Sequence, residues 1–125
     1  MPTTSPAYAI AYLRHVDVNA EIVTYIEAID GTLTPYGGQF LVHGGRLLGL
    51  EGAWDGDVVV IRFPDLDAAT RWYGSPAYQA ILALRTDNSE SVACVVEGLP
   101  EGYRAVDKLA QLTGASASGR DGQGS

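Results

Sequence analysis

The sequence predicts an α+β fold, in which an antiparallel sheet carries its helices on one face. Three observations predict this fold class. The run AYAIAYLRHV from Ala7 alternates between two sets of side chains, VVVIRF is rich in β-branched residues, and glycine pairs and N-cap residues separate such strands from amphipathic helices. With 125 residues, 46% of them hydrophobic, the chain is long enough to form one domain with its own core.

The first half of the chain predicts a strand, a helix and a hairpin. The strand begins at Ala7, and Asn19 can cap a helix whose apolar face consists of Ile22, Ile26, Ile29 and Leu33. The pair Gly37-Gly38 can end that helix at Tyr36, because glycine readily adopts the left-handed conformation after a helix. The runs QFLVH and RLLGLEG then predict two strands that turn on Gly44-Gly45.

The second half predicts a strand, two helices and a last strand. VVVIRF stops at Pro64, Asp65 caps a short helix LDAATRWYG, and Ser75-Pro76 begins PAYQAILALRTDN. SVACVVEG follows as the fifth strand. The resulting order, β-α-β-β-α(α)-β, is typical of the split βαβ, or ferredoxin-like, arrangement. We expect residues 1–6 to be a flexible lead, 7–104 to form the domain, and 105–125 to be a short helix, AVDKLAQL, and a disordered tail.

Composition limits the classes of partner. The net charge is −7 and the eight Lys and Arg residues are scattered, whereas a nucleic-acid surface needs clustered cations. No apolar stretch is long enough to span a membrane, and MPTTSPAYAIAYLRH contains no basic n-region before an apolar h-region. The single cysteine, Cys94, lies in an apolar run and predicts a buried, inert thiol. We therefore expect a cytoplasmic protein that binds neither nucleic acid nor membrane.

The alternation along the strands predicts which side chains the helices cover. Because Phe63 directly precedes the proline that starts the crossover, Val59, Ile61 and Phe63 are expected beneath the helices. Val58, Val60 and Arg62 then belong to the uncovered face. On the second strand, Phe40 and Val42 oppose Gln39, Leu41 and His43, although a slip of one residue would invert that assignment.

The uncovered face is the predicted site. We expect it to carry Tyr8, Tyr12, Arg14, His43 and Arg62, which together combine aromatic surface, cations and one imidazole. Ligand pockets are typically lined in this way, by apolar surface with a few placed polar groups.

Three motifs resemble a known family. The chain contains YGGQFLVHGGRLLGLEG, then VVVIRFPDLDAATRWYGSPAYQAILALR, and a closing VVEG. These resemble the domain of unknown function 1330 family, with its pattern YGGxFLVRGG, an apolar strand ending in FP, AxxWYxSPxYQ, a later arginine and VEG. The resemblance covers about Ala7 to Gly98 and implies a dimeric α/β barrel, in which two protomers pack their open sheet faces together. Related barrels include cofactor-free monooxygenases, heme-degrading enzymes and polyketide cyclases.

The resemblance also implies pocket residues. Trp72, Tyr73, Tyr78 and Arg85 occupy the family's motif positions, with Ser75-Pro76 between them, and Arg85 is an expected pocket wall. His43 stands where the family usually has arginine, so a titratable group replaces a permanent cation.

Each candidate has a structural and a chemical interpretation. His43 can be a general acid or base, or a residue that only hydrogen-bonds at a strand end. Arg62 can stabilise an oxyanion, or form a salt bridge to Glu51 or Glu97. The aromatic residues can be core or pocket wall. The two histidines, His15 and His43, show no metal-ligand spacing and lie outside the predicted helices, so we expect neither a metal nor heme, and no other cofactor.

Two functional hypotheses remain. The first is a homodimeric enzyme of a metabolic or biosynthetic pathway, whose chamber promotes cofactor-independent proton transfer, cyclisation, isomerisation or oxidation of a carbonyl or aromatic metabolite. His43 and Arg62 would be catalytic, and Tyr12, Arg14, Trp72, Tyr73, Tyr78 and Arg85 would bind the substrate. The second is a non-catalytic dimer in which the same groups only hold a ligand or a subunit.

Overall fold

The protein is a four-stranded antiparallel sheet with helices on one face, and the computed structural model describes residues 5–114. The strands are β1 (Ala7–Arg14), β2 (Gln39–His43), β3 (Gly56–Phe63) and β4 (Glu90–Glu97). The helices are α1 (Ala20–Leu33), α2 (Leu66–Gly74) and α3 (Pro76–Thr86). The sheet order is β2-β3-β1-β4. This confirms the predicted ferredoxin-like α+β fold.

Side-chain caps begin all three helices, as the sequence predicts. The side chain of Asn19 accepts hydrogen bonds from the backbone of α1, Asp65 accepts from Ala68 N, and Ser75 Oγ accepts from Tyr78 N. Helix α1 continues into a single 3₁₀ turn, Thr34–Tyr36, and ends at Gly37 with φ of 72°. The chain then enters β2.

The third predicted strand does not form. Gly44 has a positive φ as a turn requires, but its backbone N–H donates to Val58 O of β3, which pairs directly with β2. RLLGLEG instead belongs to a loop between β2 and β3, where Leu48 is 71% and Leu50 is 91% exposed. The alternating leucines therefore have no neighbouring strand and no covering layer, so the predicted hairpin was wrong.

The central strand β1 separates the two faces of the sheet. It pairs with β3 on one side and β4 on the other, with Ala9 opposite both Ile61 and Val95. Odd-numbered residues of these strands face the helices, and Ile61 and Phe63 are buried in the core as predicted. Even-numbered residues occupy the open face. Cys94 lies there opposite Ile10 and is exposed, which corrects the prediction of a buried thiol.

The chain after β4 adds little to the core. Short helical turns form at Ala105–Asp107 and Ala110–Gly114, and Val106, Leu109 and Leu112 in this segment are exposed. Residues 1–4 and 115–125, with most of the predicted lead and tail, lie outside the described residues, so those boundaries stay predictions. Among residues 5–114, no helix combines the length and hydropathy that crossing a bilayer would need.

Two glycine substitutions test the packing where α1 meets the sheet. A Cβ at Gly38 would lie 2.8 Å from Leu33 Cδ2 and 2.9 Å from Phe63 Cε1, both buried. We expect Gly38→Ala to lower the free energy of unfolding by about 1–3 kcal/mol, because it overpacks the core. A Cβ at Gly31, inside α1, meets nothing within 4 Å. Gly31→Ala is expected to raise stability by about 0.5–1 kcal/mol. Urea unfolding measures both, and equal stability of the two variants would contradict this packing.

Candidate ligand cavity

A cavity of about 590 Å³ lies between the sheet and the helices, on the covered side of the sheet. Its floor is made of small side chains, Ala9, Ala11 and Ala93, with Val59 and Val95 beside them. An alanine where a strand normally carries a larger residue leaves space above the sheet that the helices do not fill. The volume lies in the range of small-molecule sites.

The walls of the cavity are mostly apolar and aromatic. Helix α1 contributes Ile22, Tyr25, Ile26 and Ile29, and helices α2 and α3 contribute Trp72, Tyr73 and Tyr78. The ring centroids of Trp72 and Tyr78 lie 4.2 Å apart, and Trp72 Nε1 donates to Thr32 Oγ1 at 2.9 Å. That hydrogen bond satisfies the buried indole N–H and fixes the ring as a rigid wall.

Arg85 is the buried cation of the cavity. It is 7% exposed, and its guanidinium donates to Ser91 Oγ at 2.7 Å and, through a longer contact of 3.5 Å, to the Tyr78 hydroxyl. Burial lowers the pKa of Arg85, but the Tyr78 and Tyr25 phenols more than offset this, so its pKa lies above the usual value. The guanidinium is therefore charged at every physiological pH.

The phenols of Tyr25 and Tyr78 form a hydrogen-bonded pair beside Arg85, with 2.7 Å between their oxygens. Two phenols carry two protons, and the bond between them uses only one. Whichever phenol donates, the second proton has no acceptor among residues 5–114, and both tyrosines line the cavity. Burial first, and then the neighbouring Tyr78, raise the pKa of Tyr25 well above its usual value, so Tyr25 stays protonated near neutral pH.

His43 lies on the opposite wall of the cavity. A β-bulge between Phe40 and Val42 places both Phe40 and His43 on the helix-covered side, where their rings stack with centroids 4.4 Å apart. The sequence predicted His43 on the open face, and the bulge is the reason that this assignment was wrong. His43 is exposed, as are the neighbouring lining residues Gly44 and Asp57, so this end of the cavity is open to solvent.

The width of the sheet separates His43 from Arg85. His43 is opposite Val59, Val59 is opposite Ala11, and Ala11 is opposite Ala93 on the last strand. Three strand spacings amount to roughly 14 Å between the outer backbones. Arg85 contacts Ser91 of that last strand, so side chains from the two walls point toward a shared space from opposite ends. A small ligand can contact both.

The predicted site residues divide between the two faces of the sheet. Trp72, Tyr73, Tyr78, Arg85 and His43 all line the cavity. The other three, Tyr12, Arg14 and Arg62, lie on the open face, at register positions opposite Val58, Gly56 and Tyr8. The predicted shared open-face site is therefore wrong. Among residues 5–114, Arg62 also forms no salt bridge to Glu51 or Glu97, and it is exposed to solvent.

Tyr12 and Arg14 are engaged elsewhere. Arg14 donates two hydrogen bonds to the carboxylate of Asp55, at 3.0 and 3.2 Å, and the Tyr12 hydroxyl donates to the same carboxylate at 3.1 Å. The hydrogen bonds from Arg14, and to a smaller extent from Tyr12, lower the pKa of Asp55. These contacts hold the end of the β2–β3 loop against the sheet, so the two side chains have a structural role.

Sequence reasoning missed Tyr25, Ser91 and Asp57 as lining or polar residues of the site. Tyr25 had a usable signal, because it lies three residues after Ile22 on the buried face of α1 and brings a hydroxyl to an apolar stripe. Its partner Tyr78 is 53 residues away in the chain, so the pairing itself had no local signal.

Solved structures share this fold at low sequence identity. A protein of unknown function from Rhodopseudomonas palustris is 17% identical, with a TM-score of 0.58 over 77% of this chain and 84% of its own. The cofactor-independent oxygenase SnoaB from Streptomyces nogalater is 15% identical, with a TM-score of 0.55 over 81% and 100%. A dimeric ferredoxin-like protein of unknown function from Thermobifida fusca is 20% identical, with a TM-score of 0.52 over 76% and 92%. At these identities the likeness shows the fold alone.

A family model also matches the chain. Its description is Domain of unknown function (DUF1330), and it matches residues 6–99, which include every strand and all three α-helices. No curated protein matches the sequence. The glycine, SPAYQ and VEG motifs lie within the matched residues, as the resemblance implies.

Removal of the Tyr25 hydroxyl tests the buried phenol pair through alkaline stability. The pKa of Tyr25 is higher in the folded protein than in the unfolded chain, where it is near 10. The protonated phenol therefore stabilises the fold fully below about pH 10, and this stabilisation is lost as the pH rises toward the folded pKa. By pH 11 we expect wild type to have lost about 1 kcal/mol more than Tyr25→Phe, relative to pH 9. Urea unfolding at several pH values measures this loss. Tyr103→Phe, outside the cavity, is the control and should follow wild type, and parallel curves for wild type and Tyr25→Phe would refute the burial of this phenol.

Proposed function

The chain belongs to the family described as domain of unknown function (DUF1330), and since that description assigns no reaction, we propose a function from the cavity itself. The protein binds a small, largely apolar carbonyl or aromatic metabolite and moves a proton on it without a cofactor. One observation carries this proposal. A buried guanidinium and an available phenol proton stand at one end of an apolar cavity, and an imidazole stands at the other.

The two ends have complementary chemistry. The imidazole of His43 can accept a proton from a C–H group beside a carbonyl, and the electron pair of that bond then forms an enolate. Arg85 and the phenol donate hydrogen bonds to the enolate oxygen, which stabilises the developing charge in a largely apolar cavity. Returning the proton to another carbon of the enolate is isomerisation. Attack of the enolate carbon on a second carbonyl of the same molecule is cyclisation, and the proton that His43 accepted then neutralises the resulting alkoxide. Dioxygen, as an external oxidant, could also react with the enolate.

A solved structure with the same fold is consistent with this class of reaction. SnoaB, whose fold this chain shares, is described as a cofactor-independent oxygenase. The likeness indicates that such a sheet-and-helix frame accommodates small-molecule chemistry, and the residues named above are the argument for this chain. Arg62, one of the two predicted catalytic residues, has no part in the proposal because it lies on the other face of the sheet.

Proton transfer can be measured without knowledge of the natural substrate. Phenylacetone and phenylpyruvate are enolisable ketones that carry a phenyl ring. Exchange of the C–H protons beside their carbonyl groups for deuterium in D₂O is visible by NMR. We expect wild type to accelerate exchange of at least one of them, and His43→Asn to lower the rate by about 10²- to 10⁴-fold with the fold retained. The control is His15→Asn, which changes the other histidine. His15 has φ of 54° and is exposed at the end of the sheet, and asparagine readily adopts such a backbone conformation. Full activity in His43→Asn would remove this residue from the mechanism.

A binding protein is the alternative function. The same cavity could hold a metabolite without changing it, since no contact within it requires turnover. Native mass spectrometry of the purified protein would show a retained small molecule. A retained ligand together with no exchange of either ketone favours the binding protein.

The open face of the sheet supports self-association. Its apolar side chains are Tyr8, Ile10, Val58, Val60, Val92 and Val96, of which Val92 is 71% and Val96 45% exposed. Helices cover only the other face, and the protein from Thermobifida fusca is described as dimeric. A homodimer that packs these faces together would bury this apolar surface.

Val60→Asp tests the homodimer. An unpaired carboxylate in the centre of the packed faces would cost more than the contact gains, so we expect a dimer for wild type at micromolar concentration and a monomer for the variant. Val106→Asp, on the exposed segment after β4, should remain dimeric. Light scattering measures the mass, and circular dichroism checks the fold. A wild-type mass of 13.2 kDa at every concentration would contradict the interface.

A further inference from the structure

The charge of Arg85 is uncompensated within the described chain. Its guanidinium is 7% exposed, and its hydrogen-bond acceptors are two hydroxyl groups, Ser91 Oγ and the Tyr78 hydroxyl. Among residues 5–114, no carboxylate lies within ion-pair distance of it. A buried charge is normally accompanied by a counter-charge, because leaving water without one is costly.

Neither Asp57, the carboxylate that lines the cavity, nor Tyr25 supplies that counter-charge. Asp57 pairs with Leu13 of β1, and Leu13 pairs with Ser91 of β4. Asp57 is therefore two strand spacings from Ser91, roughly 10 Å at the backbone, and it is exposed to solvent. Tyr25 has a raised pKa and stays neutral, so no phenolate forms there near neutral pH. Arg85 therefore faces the cavity with a positive charge and free N–H donors.

Two kinds of ligand differ in when they carry a negative charge near Arg85. An enolate would be negative only during reaction, whereas Arg85 is positive before and after it. A ligand with a permanent negative charge would compensate Arg85 throughout. A carboxylate has two oxygens that match the planar guanidinium fork, and its single charge equals that of the one buried cation in this apolar lining. The second phenol proton of the Tyr25–Tyr78 pair offers it another donor.

We infer that the cavity selects small monocarboxylates with an apolar, preferably aromatic body, and that Arg85 binds the carboxylate. The body would lie on the alanine floor between the α1 isoleucines and Trp72, with its far end toward His43. This inference rests on the proposed ligand cavity and gives its substrate class. Arg85 thus makes the cavity prefer ligands with a negative charge.

The test compares acids with amides of the same shape. 3-Phenylpropanoate and hexanoate are titrated against 3-phenylpropanamide and hexanamide, and dissociation constants are measured by NMR chemical-shift changes. In wild type we expect each acid to bind about 10-fold or more tightly than its amide. Arg85→Met should remove that preference. Arg71→Met, which loses an exposed arginine of a neighbouring helix, should keep it.

Two further measurements keep the inference falsifiable. Arg85→Lys is a second variant that serves if Arg85→Met fails to fold. Lysine retains the charge without the planar pair of N–H donors, so the preference for the acid should shrink but remain. The wild-type comparison needs no variant. Equal binding of acid and amide, or no binding of either acid up to roughly 10 mM, would overturn the inference.

The outcome is separable from that of the proposed function. A preference for acids without deuterium exchange of either ketone would preserve the carboxylate site and argue against catalysis. Exchange of neutral phenylacetone with no preference for acids would preserve the enzyme and overturn the carboxylate site.

Discussion

The alternation of side chains along β1 is the constraint on which the rest of the structure depends. Alanines point to the helices at positions 7, 9 and 11, and larger residues point the other way at 8, 10 and 12. Because side chains alternate with a period of two, a shift of the strand by one residue would place two tyrosines and an isoleucine beneath the helices. The cavity would then be filled, and the open face would lose the apolar surface proposed for a dimer. Hydrogen bonding to a strand on each side holds β1 in the observed register.

The covered side of the sheet is packed at one end and hollow at the other. Phe63, Trp72 and Tyr78 fill the packed end together with Ala7 and Ala69, and all five are at most 3% exposed. Their contacts hold α2 and α3 in place, so Arg85 extends from a rigid helix. The polar groups are thereby concentrated where packing is incomplete. That division allows a buried cation without disrupting the core.

The sequence predicted the parts of the fold that local rules determine. Caps at Asn19, Asp65 and Ser75, and Pro64 at the end of β3, each act over a few residues and were confirmed. The predicted hairpin failed because two glycines indicate a turn without indicating which later strand will pair. The site was predicted in part: the family motifs identified four lining residues, but the face of His43 depends on a bulge, and the contacts of Tyr12, Arg14 and Tyr25 join residues more than 40 positions apart. Such contacts arise from tertiary packing and leave no local pattern.

The bulge in β2 has an evolutionary consequence. The strand is five residues long, and its extra residue decides whether His43 or its neighbour Val42 faces the covered side. If the same five residues paired without the bulge, Val42 would lie opposite Val59, and an isopropyl group would replace the imidazole at this end of the cavity while the rest of the sheet keeps its pairing. A lineage with this fold could therefore change the chemistry of its cavity by losing the bulge in a short outer strand, which requires no new side chain and leaves the core intact.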